Sequence, residues 1–412
     1  MPYNVFQTGG VTQAATDYFS QIVYENGRTT QEVMMAYVQG SLGDYGIVSP
    51  FAENGVELVV GAEYREESLR YNLSDNASRG QAGGFGVPVP VDGRYDVNEI
   101  YFEASIPVIE DAPFVQALVL DIGWRYSDYS TGVTTDTYKA AASWDVNSDI
   151  KFRGSYQVAV RAPNIVDLFE PFSAGLFAAD FDPCNKTNPG DTISRGGFSF
   201  EECARTGVSR AIWDLGGPAD SPAAQYNSTG GGSTELEPEE AETLTLGAIW
   251  QPGFVPGLSV SVDYYEIEIT EAIQGIQEAT TLDQCLRTGD AVFCDQVNRG
   301  LNDTLWLGQA GPDNGINAAK TNIGFLRVEG VDVEVNYNFD VGDMGTVNIS
   351  NIAGFVMAYE QEEYPQAGIL NCEGVYGGAC QIPTPDLKNR FQATWATPWN
   401  VSANLIWRYV AG

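Results

Sequence analysis

The sequence predicts an all-β fold, an antiparallel up-and-down transmembrane β-barrel present in part, with about twelve strands and long loops on the extracellular side. Three observations predict it. Long segments alternate apolar and polar residues with period two, which puts one greasy and one wet face on each strand. The connections between them alternate between short and long, as in barrels that have tight periplasmic turns and large external loops. Gly 45, Tyr 21, Phe 19 and Trp 8 suit strands and turns, while a mean hydropathy of −0.17 leaves no apolar run approaching the roughly 18 residues of a membrane-spanning helix.

Taken in order, residues 11–22 place Val11, Ala14, Ala15, Tyr18, Phe19 and Ile22 at helical spacing, which predicts a short helix in a first exposed segment. Strands are predicted at 31–42, 56–67, 97–108, 114–127, 136–146 and 149–161. In the fourth, Leu118, Leu120, Ile122, Trp124 and Tyr126 oppose Ala117, Asp121, Gly123 and Arg125. In the sixth, Ile150, Phe152, Tyr156, Val158 and Val160 oppose Lys151, Arg153, Ser155, Gln157 and Arg161. Six more are predicted at 239–250, 257–269, 324–340, 345–359, 387–397 and 400–411; in 324–340, Val331, Val333, Val335, Tyr337 and Phe339 oppose Asp332, Glu334, Asn336 and Asn338. A soluble β-sandwich also alternates, so the period alone does not name a barrel.

The connections discriminate. From the second strand onward, 68–96, 128–135, 162–238, 270–323 and 360–386 are the longer ones, and 109–113, 147–148, 251–256, 341–344 and 398–399 are short. All the longer ones then leave one end of the sheet. Most predicted strands also reach the roughly 9–11 residues that a tilted spanning strand needs, about twice the usual soluble strand. Aromatic residues gather near strand ends, at Tyr126, Trp144, Trp250, Trp395, Trp399, Trp407 and Tyr409, where rings sit well at headgroup level. The expected partner of the outward face is outer-membrane lipid.

The six cysteines fall as three close pairs, Cys184 with Cys203, Cys285 with Cys294, and Cys372 with Cys380, all in the long connections. Near neighbours are the easiest to join, which predicts local disulfides in an oxidising compartment. No CxxC and no His occur, so zinc-finger spacings, HExxH sites and His-dependent nucleophiles are excluded; no catalytic residue, metal site or cofactor is predicted. A charge of −34 with 21 dispersed Lys and Arg excludes nucleic acid as a partner. The acidic run Glu235, Glu237, Glu239, Glu240, Glu242 and the pair Asp180/Asp182 lack calcium-loop spacing and read as solvated surface. Residues 83–93 and the STGGG run at 228–232 read as loops, since neither has the context of a phosphate-binding loop. Met1-Pro2-Tyr3 opens without a leader-like n-region, which the export expectation reconciles by truncation.

Four runs in order, SYQVAVRAPNIVDLF (155–169), ELEPEEAETLTLG (235–247), SVDYYEIEITEAI (261–273) and RVEGVDVEVNY (327–337), resemble the C-terminal barrel portion of TonB-dependent outer-membrane receptors. The whole chain, 1–412, then reads as part of that barrel, with 1–30 as an extracellular loop remnant and 31–412 as strands and loops. Pro163 has no N–H to donate and suits the rim where a strand leaves the ladder; Pro238 plays the mirror part where the next begins. Arg161, Asn164, Glu237 and Glu239 complete this rim motif, and Arg161 and Glu239 are expected either to pair or to stay solvated. The resemblance implies capture of a small nutrient ligand by extracellular loops and energised uptake through the TonB complex acting on a plug domain absent from this chain. Siderophore, oligosaccharide and cobalamin-like ligands all fit, whereas the absence of His argues against imidazole-ligated haem. No ligand-binding residue is assigned. The chain alone is expected not to perform energised transport. A passive porin and a soluble β-rich binding module are the alternatives, against which the size of 162–238 and the paired loop lengths weigh.

Overall fold

The structure, a computed structural model, describes residues 8, 10–79, 89–364, 367–377, 380 and 382–411. Residues 80–88, which hold part of the Gly-rich stretch at 83–93, and residues 1–7 lie outside the described residues. The main body is one antiparallel sheet whose twelve long strands follow one another in chain order. They are β1 Glu25–Ser41, β2 Glu57–Leu73, β3 Val91–Ala112, β4 Val115–Tyr129, β5 Thr134–Asp145, β6 Ile150–Arg161, β7 Glu239–Trp250, β8 Leu258–Gln274, β9 Thr321–Asp340, β10 Thr346–Glu362, β11 Leu387–Ala396 and β12 Ser402–Ala411. Each pairs with its sequence neighbour, and a short strand, Leu370–Asn371, adds to β10. The up-and-down order, strand lengths and loop asymmetry are those of an outer-membrane barrel wall. Among the described residues no helix is long and apolar enough to cross a membrane.

Several strands outrun their predicted ends on the loop side. β1 begins at Glu25, six residues before the predicted start at 31, β2 continues to Leu73, β3 begins at Val91 and β8 reaches Gln274. Apolar alternation fades at Arg65-Glu66-Glu67 of β2, while the backbone ladder goes on. The predicted end of β2 therefore fell there, whereas in β3 Val91, Tyr95 and Val97 do alternate with Asp92, Arg94 and Asp96, their apolar face turned inward and not to lipid. The connection 42–56 also falls at the short-turn end and is larger than its neighbours; Glu110 holds it by accepting the backbone N–H groups of Glu53 and Asn54 at 2.6 and 2.9 Å.

The outward face is divided into bands. Trp144 donates to the Phe114 carbonyl at 3.0 Å and Trp395 to the Met344 carbonyl at 2.8 Å, anchoring two rings at the short turns. Above them Leu120 and Ile122, 39% and 38% exposed, share the outward side of β4 with Leu118 and Trp124, whereas Asp121 and Arg125 point to the other face. Higher still the same outward face becomes polar: Tyr156 donates to Glu242 at 2.8 Å, and Arg327 binds Glu266, Glu329 and Glu360. Aromatic rings therefore bound an apolar band, as a bilayer demands. In the short turn before β8, Gly257 has φ 85, and a Cβ there would lie 2.1 Å from the Asn338 carbonyl oxygen.

The helix predicted at 11–22 forms over Gln13–Phe19, with Thr12 as its N-cap. The two largest loops form more than was predicted. Strands Ser173–Ala178 and Gln225–Gly230 from one join Val297–Asn298 and Gly315–Asn317 from the other in a four-stranded sheet. Helix Glu278–Thr288 packs Leu282, Cys285 and Leu286 into a core with Cys184, Cys203, Trp213, Tyr226, Phe293, Leu305 and Ile316. The Ser228-Thr229-Gly230 part of the STGGG run is thus a largely buried strand and not a loop. Its small residues permit close packing between two covering layers, a property that reads in sequence like loop composition.

Candidate functional site

Three structures meet at the loop end of the sheet: a charged latch at the rim, a segment folded inward, and the fused loop body. Where β6 ends, Pro163 closes the ladder and Asn164 caps the helix Ile165–Phe169, accepting from the N–H groups of Val166 and Asp167 at 2.8 and 2.9 Å. Asp167 completes the capping box by accepting the Asn164 N–H at 3.0 Å. Arg161 forks onto Glu239 across the β6–β7 pair, Nε to Oε2 at 2.5 Å and Nη2 to Oε1 at 2.7 Å, and its Nη1 reaches Asp167 at 3.1 Å. Lys320, just before β9, donates to the other Asp167 oxygen at 2.8 Å. Glu239 also accepts the Ile273 N–H at 2.7 Å, and Glu237 is held through its backbone by Asn322 at 2.8 and 2.7 Å. Pro238 sits between these two contacts, where β7 begins. Four chain segments are therefore tied at one point.

Burial raises the Asp167 carboxyl, but hydrogen bonds from Lys320, the Asn164 N–H and Arg161 outweigh it and hold the group below its ordinary value. It stays charged. The rim residues Arg161, Asn164 and Glu239 predicted from sequence are thus joined in space, and Asp167, Lys320, Asn322 and Ile273 complete the cluster. The first lay inside a quoted motif and could have been found as the third residue after an N-cap. Ile273 closes the run at 261–273 but takes part only through its backbone N–H, and Lys320 and Asn322 come from distant chain with no local signal.

The helix Ile165–Phe169 does not reach outward. It lies on the inward face of β3 beside Gly93, where a Cβ would sit 2.4 Å from the Phe169 ring. Ile165, Leu168 and Leu236 pack with Tyr95, Val97 and Tyr129 in a second buried cluster, forming an inward lid. Below it the inward face carries a polar and aromatic patch. Glu99 accepts from Arg125 at 2.9 Å and from Ser127 at 2.6 Å, and the Arg125 guanidinium lies 4.8 Å from the centre of the Tyr101 ring. That ring covers Gly61, where any Cβ would collide at 2.4 Å. Lys139 projects from β5 with no ion pair or hydrogen bond among the described residues, beside a cavity of about 380 Å³ also lined by Arg65, Tyr129, Thr137 and Gln157.

The loop body is internally fastened. Cys184–Cys203, Cys285–Cys294 and Cys372–Cys380 are all bonded, the first two within the body. Arg299 and Asp182, 1% and 0% exposed, bridge the two loops at 2.6 and 3.1 Å. Asp182 therefore corrects the reading of the acidic residues as solvated surface: its carboxylate is the buried partner of a guanidinium from the other loop. Among the described residues no group of His, Cys, Asp and Glu is arranged to hold a metal ion.

A sheet with an apolar, aromatic-bounded outward face, a polar inward face, short turns at one end and a folded loop body at the other has the architecture of the wall of an outer-membrane-type β-barrel. The chain belongs to the family described as TonB dependent receptor-like, beta-barrel, whose profile matches residues 3–412. Among solved structures it is similar to a mutant ferric enterobactin receptor from Pseudomonas aeruginosa in complex with enterobactin, at 14% identity and a TM-score of 0.56, covering 93% of this chain and 42% of that one. It is similar also to the siderophore receptor PirA from Acinetobacter baumannii, at 13% identity and 0.54, covering 93% and 42%. A double mutant of the Serratia marcescens hemophore receptor HasR, in complex with its hemophore HasA and heme, matches at 13% and 0.52, covering 95% and 52%. The chain thus spans about two fifths of the length of the first structures it matches. Among curated proteins nothing matches it.

Proposed function

We propose that this chain forms barrel wall and loop face of an outer-membrane receptor of a Gram-negative bacterium, one that captures a small nutrient ligand outside the cell and delivers it inward. The observation that carries this reading is the inward lid. The helix Ile165–Phe169 narrows the loop end directly above the patch of Arg65, Tyr101, Arg125, Tyr129 and Lys139, an arrangement that a passive pore does not need. Lys139 is free to meet a ligand, while Arg125 is already oriented by Glu99 and Tyr101. Such a patch suits a polar ligand with aromatic or ring surface, within the siderophore, oligosaccharide and cobalamin-like classes. Energised release, through the TonB complex acting on a plug domain, belongs to the whole receptor.

The test is uptake by cells that produce the receptor carrying this chain and lack their own. A ferric siderophore, a maltooligosaccharide and cobalamin are supplied in turn, with and without TonB. Accumulation of one of them, abolished without TonB and weakened about tenfold by Lys139→Glu, supports the reading; equal, TonB-independent leakage of all three identifies a pore. Membrane fractionation checks the location.

A further inference from the structure

The strand Ser173–Ala178 ends the four-stranded sheet of the loop body and pairs only with Gln225–Gly230 among the described residues. Ala179 donates its N–H to the Ala224 carbonyl, and this fixes the parity of the ladder. Ser173, Gly175 and Phe177 turn their backbone groups toward the neighbouring strand, so Ala174, Leu176 and Ala178 turn theirs away. All three of these residues are exposed, the Leu176 side chain at 59%, and so is the flanking Phe172, at 55%. Natural edges are usually blunted by Lys, Pro or a bulge, but Ser-Ala-Gly-Leu-Phe-Ala contains none of these. It is an open template for one more strand.

We infer that this edge binds an extended, cationic polypeptide segment as a fifth strand. Two further observations choose the occupant. Residues 162–238 hold eleven carboxylates against four Lys and Arg, and each of those four is already engaged by a carboxylate or by carbonyls within the body. Glu170 and Asp180, one beyond each end of the strand, make no ion pair among the described residues. A segment with small residues at its centre and a basic residue toward each end would satisfy both. In addition, an apolar cavity of about 80 Å³ lies on the Phe177 side of the strand, lined by Phe177, Ala179, Tyr226, Leu282 and Leu305. It has room for one small aliphatic side chain from the added strand. The backbone supplies affinity, and the cavity and the flanking carboxylates supply selectivity.

The experiment uses the chain in detergent micelles and a labelled peptide of about nine residues, alternating valine and threonine between terminal lysines, long enough to span a strand of this length. Binding is expected, with amide exchange slowed about tenfold or more at Ala174, Leu176 and Ala178. N-methylation of alternate peptide residues, replacement of the lysines by glutamate, or Leu176→Pro in the protein should each weaken binding at least about tenfold. Glu170→Lys with Asp180→Lys should do the same while leaving the edge intact, which guards against a Pro variant that fails to fold. No binding, equal binding of the N-methylated peptide, or protection elsewhere in the chain would overturn the inference.

Discussion

Replacing Arg299 by leucine removes the cation that joins the two longest loops. In the native body the guanidinium makes four contacts: Asp182 at 2.6 and 3.1 Å, the Thr206 hydroxyl at 3.0 Å and the Asp303 carbonyl at 2.9 Å. Asp182 keeps only the Cys184 N–H, at 2.9 Å, once the cation is gone. A fully buried charge left with so little compensation costs about 3–5 kcal/mol, or roughly two to four powers of ten in the opening of the body. Taking out both charges, as Arg299→Leu with Asp182→Leu, should recover most of that, less about 1 kcal/mol for the lost Cys184 contact. The assay is amide exchange in detergent, comparing peptides from 173–230 and 278–317 with reference peptides from β4–β6. Faster exchange confined to the loop peptides, largely reversed in the double variant, is expected. Unchanged exchange in the single variant, or equal acceleration in β4–β6, would refute the view that the loops form one body fastened by this pair.

Leu120→Arg, on the outward face of β4, should cost about 2–4 kcal/mol near the midplane and lower the yield of folded, heat-resistant barrel, whereas arginine at the inward Asp121 should be tolerated; equal losses at both would contradict the assigned faces. Asp167 is held below the ordinary aspartate value of 3.8, so its contribution is present above that pH and is lost as pH falls through the lower folded value; exchange at 163–170 should stay protected at pH 5 and rise only below about pH 3.8. Asp167→Asn should produce the same loosening at neutral pH. Replacing Cys184 and Cys203 by serine, which opens a connection of 19 residues, should destabilise the loop body by about 3 kcal/mol without changing β4–β6, as read by limited proteolysis.

The barrel wall was legible because its physics is local. Leu120, Ile122 and Trp124 alternate with Asp121, Gly123 and Arg125 since lipid and lumen demand opposite chemistry from successive residues, and most of the twelve strands announce themselves this way, although apolar runs such as Val33-Met34-Met35 in β1 and Leu405-Ile406-Trp407 in β12 interrupt it. The disulfides were legible for a related reason: sequence neighbours are also spatial neighbours in a loop. The loop body was not. Its sheet pairs residues near 228 with residues near 316, in parallel register, and its ion pair joins positions 182 and 299. Nothing within a short window of sequence encodes such contacts. At the rim the motif exposed Arg161 and Glu239, because adjacent strands bring them opposite each other, but it concealed Lys320, which arrives from the far loop.

These contacts bear on how such a loop face can move. Two loops that share a sheet, a core and a buried ion pair cannot rearrange separately without exposing that core, since packed interiors have discrete arrangements and do not deform continuously. The body is also sewn to its stems: Gly232 donates to the Glu170 carbonyl, Lys320 to the Gly231 carbonyl and Ala318 to the Thr229 carbonyl. All of these lie within a few residues of Asp167 or of its partner Lys320 or the strand they serve. Displacement of the body relative to the wall is therefore concentrated where the stems meet the barrel, and the groups that resist it there are Arg161, Asp167, Glu239 and Lys320. The inward helix hangs from the same point through Asn164 and Asp167. Loosening the latch would thus loosen the inward helix and the loop body together, because Asp167 both completes the cap of that helix and holds Arg161 and Lys320 at the stems.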